Sequence, residues 1–131
     1  MSLAVTPVYA AFLAVVFVAL SLRVIFMRQQ AKVSLGDGGD QRLLRRQRVQ
    51  GNFAEYVPFA LLLMALAELQ GAPAWSLNLI GLTLVAGRLL HAYGVNQEAE
   101  KLQFRGGGMV LTFFALVSGA VANLAPLVLR G

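Results

Sequence analysis

Four stretches of this chain are long, apolar and nearly free of charge: residues 3–27, 49–69, 74–95 and 109–129. A helix needs roughly 20 apolar residues to cross the hydrocarbon of a bilayer, so each stretch predicts a transmembrane helix. Only 13% of the 131 residues are charged and the mean hydropathy is +0.69, whereas a soluble domain carries about a quarter charged residues. We therefore expect an all-α fold, a four-helix transmembrane bundle, in a single domain over residues 1–131.

The positive charge near the first stretch follows it, at Arg28 and Lys32. A signal peptide has its positive charge before the apolar run and a cleavage site after it, so we expect a retained first helix. The sequence has no cysteine, which excludes disulfides and protein thiol chemistry. Basic loops beside membrane spans explain the net charge of +5 without nucleic acid as a partner.

Turn signals separate the four stretches. The segment LGDGGD at 35–40 predicts a turn, because glycine tolerates positive φ. Asp40 is a candidate N-cap, so we expect the second helix to begin in the cytoplasm and to run into the membrane without a break. GAP at 71–73 predicts a tight turn, and GGG at 106–108 marks the entrance to the fourth span.

Polar side chains lie where the second stretch begins, in RVQGNFAEYVP at 48–58. Helical periodicity places Arg48, Asn52 and Glu55 on one face, with Tyr56 at its margin. Glu55 is about 10 Å along the helix axis from Arg48, which places it inside the cytoplasmic half of the bilayer. An ionised side chain at that depth needs a partner or water.

The third stretch offers such a partner. Arg88 reaches the depth of Glu55 on an antiparallel neighbour, His91 lies one turn nearer the cytoplasm, and Arg23 of the first stretch lies at a comparable depth. Several polar groups thus converge on one level of an apolar bundle, which predicts a site. In this hypothesis, charge pairing with Arg88 orients Glu55.

Structural explanations compete with that hypothesis. Arg48 alone fits an interfacial, snorkelling arginine, and Glu55 with Arg88 fits a purely structural buried ion pair. A single histidine without cysteine does not predict a metal site. Glu68, near the far interface, is interpreted as solvated.

The pattern Arg48-x-x-x-Asn52-x-x-Glu55-Tyr56-x-Pro58 resembles the second-helix signature of the MAPEG family, membrane-associated proteins in eicosanoid and glutathione metabolism. The resemblance extends over the whole chain, and GDGG before this pattern is especially similar to the bacterial inner-membrane branch. It implies a homotrimer in the bacterial inner membrane, with sites between adjacent subunits that bind glutathione from the cytosolic side.

The resemblance also implies roles for individual residues. Arg48, Asn52, Glu55 and Tyr56 would hold the peptide and charged ends of glutathione, which would act as co-substrate. Arg28 matches a family arginine that contacts a glutathione carboxylate, and guanidinium–carboxylate pairing is directional. The implied activity is that of a membrane-bound glutathione S-transferase or peroxidase, acting on a hydrophobic small molecule or lipid that enters from the bilayer.

The sequence departs from the eicosanoid-making members of that family. Two tyrosines of their third helix correspond to His91 and Val95 here, so His91 would replace an aromatic contact. Their thiol-activating arginine aligns on Leu102. Arg105, one helical turn further on, is the candidate for the catalytic cation that stabilises the thiolate.

Two other classes of function remain open. A non-catalytic membrane protein that binds glutathione or lipid would use the same binding residues. A small multidrug-type transporter also has four short spans and one intramembrane carboxylate, usually in the first span. Here the first span carries Arg23 and no acidic residue, which disfavours the transporter.

The membrane topology is a testable prediction. Nine basic residues lie outside the core of the spans, and eight of them belong to the loops that join the first span to the second and the third span to the fourth. The opposite side of the membrane has only Arg130. Since excess Lys and Arg stay in the cytoplasm, we expect both termini outside and both charged loops inside. Reporter fusions at Gly38 and Glu100 should give a cytoplasmic signal, and an external signal at either position would contradict the topology.

Overall fold

The computed structural model describes residues 2–96 and 102–131. These residues form four helices: α1 (Thr6–Ala31), α2 (Gln41–Leu69), α3 (Ala74–Asn96) and α4 (Leu102–Arg130). The described part of the chain contains no strand, so the expected all-α, four-helix fold is confirmed. Helix α1 packs mainly on α2, while α4 packs on α3 and α2.

Helix α2 begins where the sequence predicts. The side chain of Asp40 accepts hydrogen bonds from the backbone amides of Arg42 at 2.9 Å and Leu43 at 3.2 Å, which confirms the N-cap. In the preceding turn, the carbonyl of Gly36 accepts hydrogen bonds from Arg28 Nη1 and Gln47 Nε2, both at 2.8 Å. The end of α1 is therefore tied to the start of α2.

Helix α1 is capped by another helix. The carboxylate of Glu68, near the end of α2, accepts hydrogen bonds from the amides of Ala4 at 3.1 Å, Val5 at 2.7 Å and Thr6 at 2.8 Å. The first turn of α1 has no acidic residue or side-chain cap of its own, so its amides need an external acceptor. Glu68 remains accessible to solvent, as expected, but it also caps α1, a role that the sequence did not predict.

The two termini and the α2–α3 turn share one end of the bundle. Glu68 joins the start of α1 to the end of α2, and Arg130 Nη2 donates to the carbonyl of Gln70 at 3.3 Å. The α1–α2 turn and most of the arginines belong to the opposite end. This arrangement is the one expected for an antiparallel bundle with both termini on one side.

The outer surface of the bundle is apolar. Large side chains such as Val15, Val110 and Trp75 are 69%, 67% and 71% exposed, where a soluble bundle would show charged groups. Among the described residues, three helices are long and apolar enough to cross a membrane: α1, α2 and α4. Helix α3, which carries Arg88 and His91, is not among the three, so the fourth crossing stays a prediction.

Glycines bring α3 and α4 into close contact. A Cβ placed on Gly108 would lie 2.5 Å from the amide nitrogen of His91 and 2.6 Å from the carbonyl oxygen of Gly87. A Cβ on Gly94 would lie 2.4 Å from the amide nitrogen of Arg105. Small residues permit this backbone-to-backbone packing in membrane helices. The GGG run at 106–108 lies inside α4, and Gly107 and Gly108 form part of its contact with α3.

Substitution of Gly106 and of Gly108 by alanine should change the stability of the bundle in opposite directions. Gly108→Ala forces α3 and α4 apart, and overpacking of this kind costs about 1–3 kcal/mol. Gly106→Ala is the matched control, because its added Cβ meets nothing within 4 Å and alanine favours helix by up to about 1 kcal/mol. Thermal unfolding in detergent, followed by circular dichroism, should show a lower midpoint for Gly108→Ala only. Equal midpoints would contradict the close packing.

Candidate functional site

A buried arginine is the centre of the candidate site. Arg88 is 2% exposed, on the part of α3 that faces both α2 and α4. Its Nη2 donates to Asn52 Oδ1 of α2 and lies 3.4 Å from His91 Nδ1. Its Nη1 donates to Thr112 Oγ1 of α4 at 3.3 Å. One guanidinium thus connects three helices.

The surroundings of Arg88 are mostly apolar. The guanidinium carbon lies 5.9 Å from the centre of the Phe53 ring, and Nη1 lies 3.9 Å from Met109 Sδ. Among the described residues, its Nε is buried without a hydrogen-bond partner. Removing a charged group from water is costly unless polar partners surround it, so the bonds to Asn52 and Thr112 are needed to hold this arginine inside the bundle.

Glu55 does not form the expected direct pair with Arg88. Within residues 2–96 and 102–131, the ion pair with a nitrogen–oxygen distance of 4.0 Å or less is that of Arg42 with Asp40, at 3.8 Å. Glu55 is therefore farther than 4.0 Å from Arg88 and attracts it only over this longer distance. Glu55 is exposed on the side of α2, and the Asn52 amide occupies the position next to the guanidinium. The expected charge pairing is therefore corrected to a long-range attraction, with Asn52 as the direct partner.

The four polar residues of the α2 pattern differ in their exposure to solvent. Arg48 and Glu55 are exposed, while Asn52 and Tyr56 are half-buried. The Tyr56 ring meets Phe113 of α4 edge to face, with ring centres 5.6 Å apart. The predicted face thus leads from the lateral surface of the bundle inward to Asn52 and Arg88. Exposed charges on the side of a membrane helix require water or a neighbouring subunit.

The other candidate residues lie near the same end of the bundle. His91 is 3% exposed and sits one turn after Arg88. The backbone of Arg105, in the first turn of α4, passes close to Gly94 and so lies beside the last turns of α3. Arg28 is half-buried at the end of α1 and bonds Gly36. Arg23, expected at the level of Arg88, instead joins the α1–α2 contact, where its carbonyl accepts from Arg46 Nη1 at 3.3 Å.

Sequence reasoning missed Thr112. This residue is 0% exposed, and its hydroxyl accepts from Arg88 while donating to the carbonyl of Gly108 at 2.8 Å. The available signal was a hydroxyl near the start of the fourth span, where the other polar residues are Ser118 and Asn123. The described residues hold no group of three or more His, Cys, Asp or Glu side chains that could bind a metal ion.

A helical bundle with an apolar exterior and a buried polar cluster at one end defines an α-helical membrane protein. The sequence profile of the MAPEG family matches residues 6–125, and the chain belongs to this family. It is 38% identical over 120 residues to the inner membrane protein YecN of Escherichia coli K12, an alignment that covers 92% of this chain and 90% of that protein. The inner membrane protein YecN of Escherichia coli O6:H1 matches with the same identity and coverage.

The contact between Thr112 and Arg88 should be visible in stability. Thr112→Val keeps the shape but removes the acceptor from a buried guanidinium, which costs about 1–3 kcal/mol. Thr83→Val is the matched control, since Thr83 also donates to the carbonyl four residues earlier, at 2.7 Å, but contacts no arginine among the described residues. Thermal unfolding in detergent should show a lower midpoint for Thr112→Val than for Thr83→Val. If both lose the same stability, Thr112 does not support Arg88.

Proposed function

We propose that this protein binds glutathione and uses its thiolate to attack a hydrophobic electrophile that enters from the bilayer. The observation that carries the proposal is the polar face of α2, which leads from exposed Arg48 and Glu55 to half-buried Asn52. Membership of the MAPEG family over residues 6–125 supports the same class of ligand.

The charges of this face suit glutathione. The tripeptide carries two carboxylates, one ammonium and a thiol, so its receptor needs cations and at least one acid. Arg48 offers a guanidinium for a carboxylate, and Glu55 offers a carboxylate for the ammonium. The Asn52 amide, with its oxygen bonded to Arg88, directs its own N–H donors toward the peptide groups of the ligand.

Further contacts would come from the rim of the site. Arg28 uses one N–H to bond Gly36, and a guanidinium carries five N–H donors, which leaves capacity for a glutathione carboxylate. Tyr56 is fixed against Phe113 and presents its hydroxyl as a donor to the peptide backbone. His91, next to Arg88, replaces an aromatic contact made in related enzymes.

In the proposed reaction, the sulfur lone pair of the thiolate forms a bond to the electrophilic carbon. A leaving group departs with its bonding pair, or an activated alkene takes a proton from water at the neighbouring carbon. A cation near the sulfur stabilises the thiolate and so lowers the pKa of the thiol. Arg105 is assigned this role because its backbone lies beside the last turns of α3, close to Gly94.

The assembly we propose is a homotrimer in the inner membrane, with the site between adjacent subunits. Arg48 and Glu55 lie on the lateral surface of one protomer, where contact with lipid would be costly. A neighbouring subunit would cover them and close the site. The Escherichia coli relative is an inner membrane protein, which supports this location.

Non-catalytic glutathione binding is the second candidate. One observation favours it: Val95, at a position where related enzymes carry a tyrosine, is an apolar side chain only 3% exposed. The chain therefore has no phenol there to contact a thiolate. Binding and turnover have to be measured separately for this reason.

Substitutions on α2 and α4 should separate binding from catalysis. Losing one partner of a buried charged contact costs roughly 2–5 kcal/mol, so Arg48→Ala or Glu55→Gln should weaken glutathione binding more than tenfold in calorimetry. Arg105→Ala should lower kcat with a generic electrophile and leave glutathione affinity nearly unchanged, as expected for an interaction made in the transition state.

Arg42→Ala is the matched control, because Arg42 is an exposed arginine of the same helix that forms an ion pair with Asp40. Its affinity and rate should equal those of the wild type. No binding of glutathione by the wild type at millimolar concentration would refute the proposal. Binding without turnover would favour the non-catalytic candidate, and an unchanged rate in Arg105→Ala would refute only that assignment.

A further inference from the structure

A concave site lies at the opposite end of the bundle from Arg88. A groove of about 630 Å³ opens where the first turns of α3 and the second half of α4 separate. This volume falls in the range of small-molecule sites, roughly 300–1,000 Å³. The groove shares no lining residue with the proposed glutathione site, so a ligand bound there would be a different one.

Residue size shapes this groove. Its floor on α4 is formed by small, half-buried side chains at helical spacing, Ser118, Ala122 and Ala125. Larger exposed side chains form the rims, with Leu79 on α3 and Val121 on α4. Small residues at i, i+4 and i+7 lie on one face of a helix, so the floor is a continuous strip of small side chains along α4.

One end of the groove is polar and cationic. Arg130 lines it at the end of α4, and its Nη2 bond to the Gln70 carbonyl holds the guanidinium over the opening. Trp75, at the start of α3, stands beside it and is 71% exposed. Among the described residues, the other basic side chains lie toward the opposite end of the bundle or along its length. Tryptophan and arginine together are typical of the level of lipid headgroups.

The geometry points to a binding site for one anionic glycerophospholipid, with an acyl chain in the groove and its phosphate on Arg130. The groove runs along α4 from Phe114 to Arg130, about 24 Å at the helical rise per residue. Half of a hydrocarbon core is about 15 Å, so the groove accommodates one chain of one leaflet. The lone cation at its mouth complements a headgroup with net negative charge.

The single tryptophan of the chain lies in the groove and reports on the lipid beside it. The protein is reconstituted into vesicles containing brominated phosphatidylglycerol or brominated phosphatidylcholine with identical acyl chains. Bromine quenches Trp75 fluorescence on contact. One arginine near the headgroups favours an anionic lipid by about fivefold, so the wild type should prefer phosphatidylglycerol by that factor.

Variants of the mouth and floor complete the test. Arg130→Gln should reduce the ratio of preference for phosphatidylglycerol over phosphatidylcholine to about one, while Arg130→Lys should retain most of this preference. Ala125→Leu should also remove the preference, because the larger side chain fills the floor. Arg42→Gln, which removes an exposed arginine at the start of α2, should leave it unchanged. Circular dichroism confirms that each variant is folded.

Several outcomes would overturn the proposal. Equal quenching by the two lipids in the wild type would show that the groove does not select an anionic headgroup. A preference that survives Arg130→Gln, or that Arg42→Gln removes equally, would show a general effect of charge. A tryptophan that neither lipid quenches would show that protein, such as a second copy of the chain, covers the groove.

Discussion

The burial of one guanidinium inside an apolar bundle sets the arrangement of the helices around it. Arg88 cannot be left without polar partners in a low-dielectric interior, and its contacts come from Asn52 on α2, Thr112 on α4 and His91 one turn along α3. Changing the depth or rotation of any of these helices would break one of the bonds. The polar face of α2 is therefore held in register with α3, and the candidate site follows from that register.

The two ends of the bundle are built differently. At the Arg88 end, glycine contacts close the space between α3 and α4, and Arg88 bonds polar groups of α2 and α4. At the other end, α3 and α4 leave a groove between them, and the helices are tied instead by Glu68 and by the Asn123 amide, which donates to the Leu63 carbonyl at 2.9 Å. One end is thus suited to a polar ligand and the other to an apolar one.

The fold was largely predictable, because its signals are local. Apolar length and the Asp40 cap gave the helices, and periodicity gave the polar face of α2. The details of the site depend on distances between helices that the sequence does not contain. Asn52 rather than Glu55 bonds Arg88, since the exact rotation of α2 against α3 decides which of two residues on one face points inward. The capping role of Glu68 was not predicted, because its partners are backbone amides of a distant segment and every residue type except proline carries such an amide.

The three successive glycines of α4 also bear on how the protein assembles. Each glycine costs about 1 kcal/mol relative to alanine in a helix interior, so the turn at 106–108 has little tendency to form on its own. It becomes helical where it contacts α3, through Gly87 and the His91 backbone. The beginning of α4 therefore owes its helical structure to contact with α3 more than to its own sequence.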